Sequence, residues 1–225
     1  MQKKRAFDLV LLILMLGLLW YGVFVLRGED YYVVSLAIIT IGILGFVFSF
    51  EKSRPSVALL TIIASLCALA AASRIAFFFL PQVKPIAAVV IIAGAAFGPE
   101  VGFVTGAVSA FVSNFYFGQG SWTPFQMFAL GLIGFFAGLF LKKTENRIGV
   151  MLYGFFSVVL IYGGIVEINS IFFTAGEPTT AMVMAVYLSG LPFNLIFGVS
   201  TAVFLFLLYR PILKRLERLE RKYRL

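Results

Sequence analysis

Histidine is absent from this 225-residue chain, cysteine occurs once, and acidic residues number 10 against 18 basic ones. Each shortage closes off a class of chemistry. Without imidazole there is no His-ligated metal site and no histidine proton relay. One thiol, Cys67, cannot close an internal disulfide. Charged residues of both signs make up only 12% of the chain, too few to solvate a soluble domain of this length. No G-x-x-x-x-G-K-[ST], H-E-x-x-H or G-x-S-x-G motif occurs, so ATP hydrolysis through a P-loop, zinc proteolysis and serine-esterase chemistry have no machinery here. The apolar runs carry no carboxylate cluster for metal or proton work. The reading is a non-enzyme with no metal and no cofactor.

What the chain has is hydrocarbon. Hydrophobic residues make up 61% of it, 26 of them Phe, and the mean hydropathy is +1.03. Apolar runs near twenty residues long read as helices crossing a bilayer. A β-barrel would alternate polar and apolar residues in short strands instead. The runs fall at Phe7–Leu26, Tyr31–Phe50, Ser56–Phe79, Pro85–Phe97, Val101–Phe117, Pro124–Leu141, Ile148–Phe172 and Ala181–Tyr209. The expected fold is therefore an all-α polytopic membrane protein of about eight spans. Its expected divisions are a two-helix transmembrane hairpin (1–55), a six-helix membrane core (56–209) and a basic tail (210–225). The first run follows Lys3, Lys4 and Arg5 as a signal peptide would. It is too long and lacks a small-residue cleavage site, so it reads as a retained helix.

Basic residues orient the spans. With both termini cytoplasmic, every Lys and Arg falls inside except Arg27, Arg74 and Lys84, as the positive-inside rule requires. The positive charge thus reflects membrane orientation, and no nucleic-acid partner is expected. The tail "RPILKRLERLERKYRL" spaces Leu213, Leu216 and Leu219 along a basic helix. It reads as a solvated or headgroup-lying continuation of the last span, or as a docking surface for a cytoplasmic partner.

Against this background the stretch "SNFYFGQGSWTPFQM" (113–127) is costly. At ~1.5 Å rise per residue, Asn114 sits in the outer part of its span, Gln119 and Trp122 in the external loop, and Gln126 at the start of the next descent. Arg74, Glu167 and Asn169 lie near outer span ends, and Asn194 lies deeper, beside Pro192. A charged side chain stranded in lipid costs roughly 2.5–3.5 kcal/mol even on insertion scales. A common outward-facing pocket would offset that cost. Each residue also has a plainer role open to it: Arg74 could snorkel, Trp122 could sit in an interfacial belt, and Asn114 and Asn194 could join helices. Glu167 could simply pair with Arg74.

Small residues form a second pattern. Ala64, Ala68 and Ala72 recur every four residues, with Ala76 extending the row, and Gly94, Gly98, Gly102 and Gly106 repeat at the same interval, as do Gly134 and Gly138. Such faces let helix backbones approach closely. Internal packing is the expected role of the glycines. The alanine ladder fits either internal packing or docking against another membrane protein, and periodicity does not separate them.

The segment from Ser56 to Tyr209 resembles the substrate-binding S component of energy-coupling factor (ECF) vitamin transporters. The matching features are an Arg late in an alanine-rich helix, a "P-x-V-K-P" loop, a "G-x-x-F-G" turn and "SNF-x-FGQG-x-WTP-x-QM". The resemblance implies a subunit in a prokaryotic plasma membrane that captures a vitamin or its precursor outside. Delivery would follow through a transmembrane coupling protein and two cytoplasmic ATPases. It gives the ladder Ala64, Ala68 and Ala72 the role of meeting the coupling protein. On that reading the outward-facing pocket of Arg74, Asn114, Gln119, Trp122, Gln126, Glu167, Asn169 and Asn194 would bind the substrate. The pattern looks closest to the cobalamin-type branch, and the cobalt and nickel branch, with its histidine-bearing N-terminus, does not fit. Two further readings remain: a self-sufficient secondary carrier using Glu167 as proton site with a discontinuous helix near Pro192, and a membrane scaffold.

Overall fold

The computed structural model describes residues 56–173 and 179–223, with scattered residues between 10 and 41. The hairpin expected over 1–55 lies almost wholly outside the described residues. Helix α1 (Val57–Ala76) starts at Ser56, whose hydroxyl accepts from the Leu59 amide at 3.1 Å. That bond satisfies one of the orphan amides of the first turn. Helices α2 (Ile86–Phe97), α3 (Pro99–Phe117) and α4 (Trp122–Phe140) follow. Helix α5 (Arg147–Phe156) passes through a π-helical turn (Ser157–Tyr162) into α6 (Gly163–Phe173), and α7 (Thr180–Tyr223) closes the described chain. With α5, the π turn and α6 taken as one rod, the described residues from 56 onward form six helical rods.

Among the described residues, four helices are long and apolar enough to cross a membrane: Val57–Ala76, Trp122–Phe140, Arg147–Ile171 and Thr180–Tyr223. The molecule is a polytopic α-helical membrane protein. Helix α2, with 12 residues, is about 18 Å long, well short of the roughly 30 Å hydrocarbon core. Its position resolves the shortfall. Every residue from Ile86 to Ala96 is buried, so α2 meets protein on all sides, as a helix apolar all round should.

Glycine makes that central packing possible. A Cβ on Gly94 or Gly102 would collide with the Gly134 carbonyl, one on Gly106 with Leu130, and one on Gly138 with Pro99. The glycine rows of α2, α3 and α4 are therefore one shared crossing, in keeping with the expected internal role. Gly98 alone joins α2 to α3 with φ 106°, a region in which a side chain is strained. Pro99 then opens α3 at its first position, where a missing amide hydrogen matters least.

Helix α7 runs 44 residues without interruption, through Pro192 and Pro211, for a length of about 66 Å. Its basic end is held to the loop after α4. Tyr209 Oη donates to the Thr144 carbonyl at 3.0 Å, Arg210 Nη2 to the Glu145 carbonyl at 3.2 Å, and Lys143 pairs with Glu220 at 2.8 Å. Leu213 and Leu216 are buried. The leucine spacing noted in the tail thus marks a packed face.

Candidate functional site

Arg74 lies in the last turn of α1, where the helix dipole favours a cation. Its side chain is only 7% exposed, which is incompatible with snorkelling. The Nη1 atom donates to Ser113 Oγ and to Asn114 Oδ1, both at 2.7 Å. The guanidinium carbon stands 4.5 Å from the centre of the Phe117 ring, inside cation–π range. Asn114, 0% exposed, then spends its amide nitrogen on two acceptors of α4: Thr123 Oγ1 at 3.2 Å and Gln126 Oε1 at 3.0 Å. Thr123 in turn donates to Gln119 Oε1 at 2.9 Å and accepts from the Gly120 amide at 3.2 Å. Gln119 Nε2 donates to the Phe111 carbonyl at 3.0 Å.

These bonds form one continuous polar chain from α1 through α3 to the start of α4. Most of it is internal: Asn114 satisfies its neighbours and fixes where Arg74 and Gln126 stand. Gln126 is half-buried and Trp122 exposed, with the indole lying over Gly120 so closely that a Cβ there would overlap the ring.

A second group comes from α6 and α7. Asn194 Nδ2 donates to Glu167 Oε1 at 3.4 Å, and the carboxylate lies against Gly190, where any Cβ would displace it. No ion pair joins Glu167 to Arg74 among the described residues. Asn169 is 8% exposed and its Oδ1 has no hydrogen-bond partner among them. Tyr162, the last residue of the π turn, packs edge-on against Phe197 at 5.1 Å.

The sequence reading gave no role to Ser113, Phe117, Thr123, Tyr162 or Lys84. The first three lie inside the polar stretch already singled out. Tyr162 carried no signal. Lys84 follows the α1–α2 loop inward: its amide donates to Ser200 Oγ at 3.1 Å, its Nζ donates to Gln82 Oε1 at 3.2 Å, and the ammonium stands 5.9 Å from the Phe117 ring centre. By contrast Ala64, Ala68, Ala72 and Ala76 are all exposed on α1, while Ile63, Leu66, Cys67, Ala70 and Ala71 are buried. The ladder points away from the polar chain and away from the bundle.

The profile of the family described as "ECF-type riboflavin transporter, S component" matches residues 52–215. The chain belongs to that family. It is a family of transport subunits, not of enzymes, and its description names riboflavin where the sequence pattern leaned toward the cobalamin branch. Over 65 residues this S component is 35% identical to a UPF0397 protein of Vibrio atlanticus (strain LGP32). The aligned stretch covers 29% of the S component and 35% of the relative, so the match spans about a third of that protein's length. No solved structure matches.

Proposed function

We propose that this S component captures a riboflavin-type vitamin at the end of the bundle bearing Arg74, Asn114 and Gln126. Uptake then proceeds through a transmembrane coupling protein and two cytoplasmic ATPases. The observation that carries the reading is the polar chain buried at one end of an otherwise apolar bundle, in a chain of this family. Vitamin pockets are mainly apolar with a few placed polar groups, and here Phe117, Tyr162 and Trp122 supply flat aromatic surface beside Gln126, Glu167 and Asn194. The distribution of basic residues supports placing this end outside and both termini in the cytoplasm. The exposed ladder Ala64–Ala68–Ala72 is the surface for the coupling protein, because small side chains let a neighbouring helix approach closely.

Detergent-purified protein titrated with riboflavin, followed by flavin fluorescence, tests the substrate. Saturable one-to-one binding is expected, with cyanocobalamin showing none in a parallel titration. Binding of cyanocobalamin without riboflavin would move the protein to the cobalamin branch. Binding of neither would remove the vitamin assignments tested.

A further inference from the structure

Two cations face the same aromatic ring, and no carboxylate among the described residues pairs with either. Arg74 and Lys84 stand 4.5 and 5.9 Å from the centre of Phe117. Arg74 donates only to the neutral Ser113 and Asn114, and Lys84 Nζ only to the neutral Gln82, among the described residues. Neutral dipoles solvate a buried cation but leave its charge uncompensated.

The described carboxylates do not supply compensation. Glu145, Glu217 and Glu220 lie at the other end of the bundle, by the α4–α5 loop and the α7 tail. Glu100 opens α3, some 21 Å along the helix from Asn114. Glu167 is hydrogen-bonded to Asn194 and forms no ion pair with either cation. Burial, and then the charge of Arg74, push the Lys84 ammonium down to about 8, as expected of like charges held together in a poorly solvated place. Both side chains come from separate elements, so the pairing is a product of the tertiary fold.

We propose that the ligand carries an anionic group, a phosphate or a carboxylate, that docks between Arg74 and Lys84 beside Phe117. The inference rests on the reading of this end as the substrate site and narrows it to a charged ligand. An anion there adds charge-assisted hydrogen bonds from guanidinium and ammonium donors. It also removes the repulsion between the two cations. A lipid headgroup is a poor occupant, because Arg74 is buried inside the bundle.

Riboflavin and riboflavin 5′-phosphate share one scaffold and differ by one dianion, so the pair isolates the effect. Equilibrium titration of the purified full-length protein should show the phosphate ester binding about ten- to a hundred-fold more tightly. In Arg74→Gln and in Lys84→Gln, each checked for monodispersity, that advantage should fall to about three-fold or less. Lys84 lies in a loop, so its variant remains decisive even where Arg74→Gln does not fold. Equal binding of both flavins by the unaltered protein overturns the inference and leaves the riboflavin reading standing. An advantage that persists in Lys84→Gln overturns the assignment to this pair of cations. Binding of neither flavin sinks the riboflavin reading, and the ligand extracted from purified protein then decides the anion. An anionic compound retained by the unaltered protein and lost from Lys84→Gln upholds the inference; a neutral compound, or none, overturns it.

Discussion

Asn114 holds three neighbours at once: Arg74 through its carbonyl, Thr123 and Gln126 through its amide nitrogen. Removing it strips an acceptor from a buried cation and a donor from two buried or half-buried oxygens. An unsatisfied buried partner costs about 1–3 kcal/mol, and more where it is charged. Asn114→Ala is therefore expected to lower the thermal unfolding midpoint in detergent and weaken ligand binding together. Gln126→Ala, at a half-buried position on the margin of the chain, is expected to weaken binding with a much smaller thermal shift. Differential scanning fluorimetry paired with a ligand titration measures both. An Asn114→Ala protein of unchanged midpoint would show that the polar chain contributes nothing to the fold. The position of Asn114 could be read from the sequence, because a polar residue in a long apolar run stands out. Its partners could not. Arg74 reaches across 39 and 40 positions to Ser113 and Asn114, and only the packing of α1 on α3 sets that reach. Lys84 escaped for a related reason: a loop lacks the periodicity that assigns a direction to a side chain.

At the scale of the helix, two kinds of small residue separate. Gly134 faces α3, and a Cβ there would meet the Gly102 carbonyl. Gly134→Ala should thus force backbones apart, and overpacking of this kind costs typically 1–3 kcal/mol. Ala68 is exposed on α1. Ala68→Trp should leave the midpoint and ligand affinity nearly unchanged while abolishing co-purification with a coupling complex and transport. Thermal midpoints of the two variants, with pull-down of the complex for the second, check the pair. An Ala68→Trp protein that folds, binds and transports normally would remove the ladder from the partner surface. The glycine role was legible because Gly94, Gly98, Gly102 and Gly106 share the four-residue spacing of Gly134 and Gly138. The ladder's direction was not: α1 carries apolar residues on every side, so the pattern does not tell the buried face from the open one. Helix ends were legible where Pro or Gly punctuates the chain, as at Pro85, Gly98 and Pro99. The π turn at Ser157–Tyr162 carries no such mark.

Across the whole molecule, the polar end and the basic end lie at opposite poles. Helix α7 joins them, from Asn194 on Glu167 and Ser200 on the Lys84 amide to Glu220 on the Lys143 ammonium. On the proposed reading, capture takes place at the polar end and coupling along the flank of α1. The sequence has no P-loop, and Glu167, which the secondary-carrier reading takes as its proton site, accepts from Asn194 beside Gly190. The measurement that tests this division of labour most directly is uptake of radiolabelled riboflavin into proteoliposomes. With the chain alone, vesicles should bind the vitamin without accumulating it under any imposed proton or sodium gradient. With a coupling protein, its two ATPases and ATP enclosed at the cytoplasmic face, accumulation should begin. Gradient-driven accumulation by the chain alone would contradict the account and make this a self-sufficient carrier.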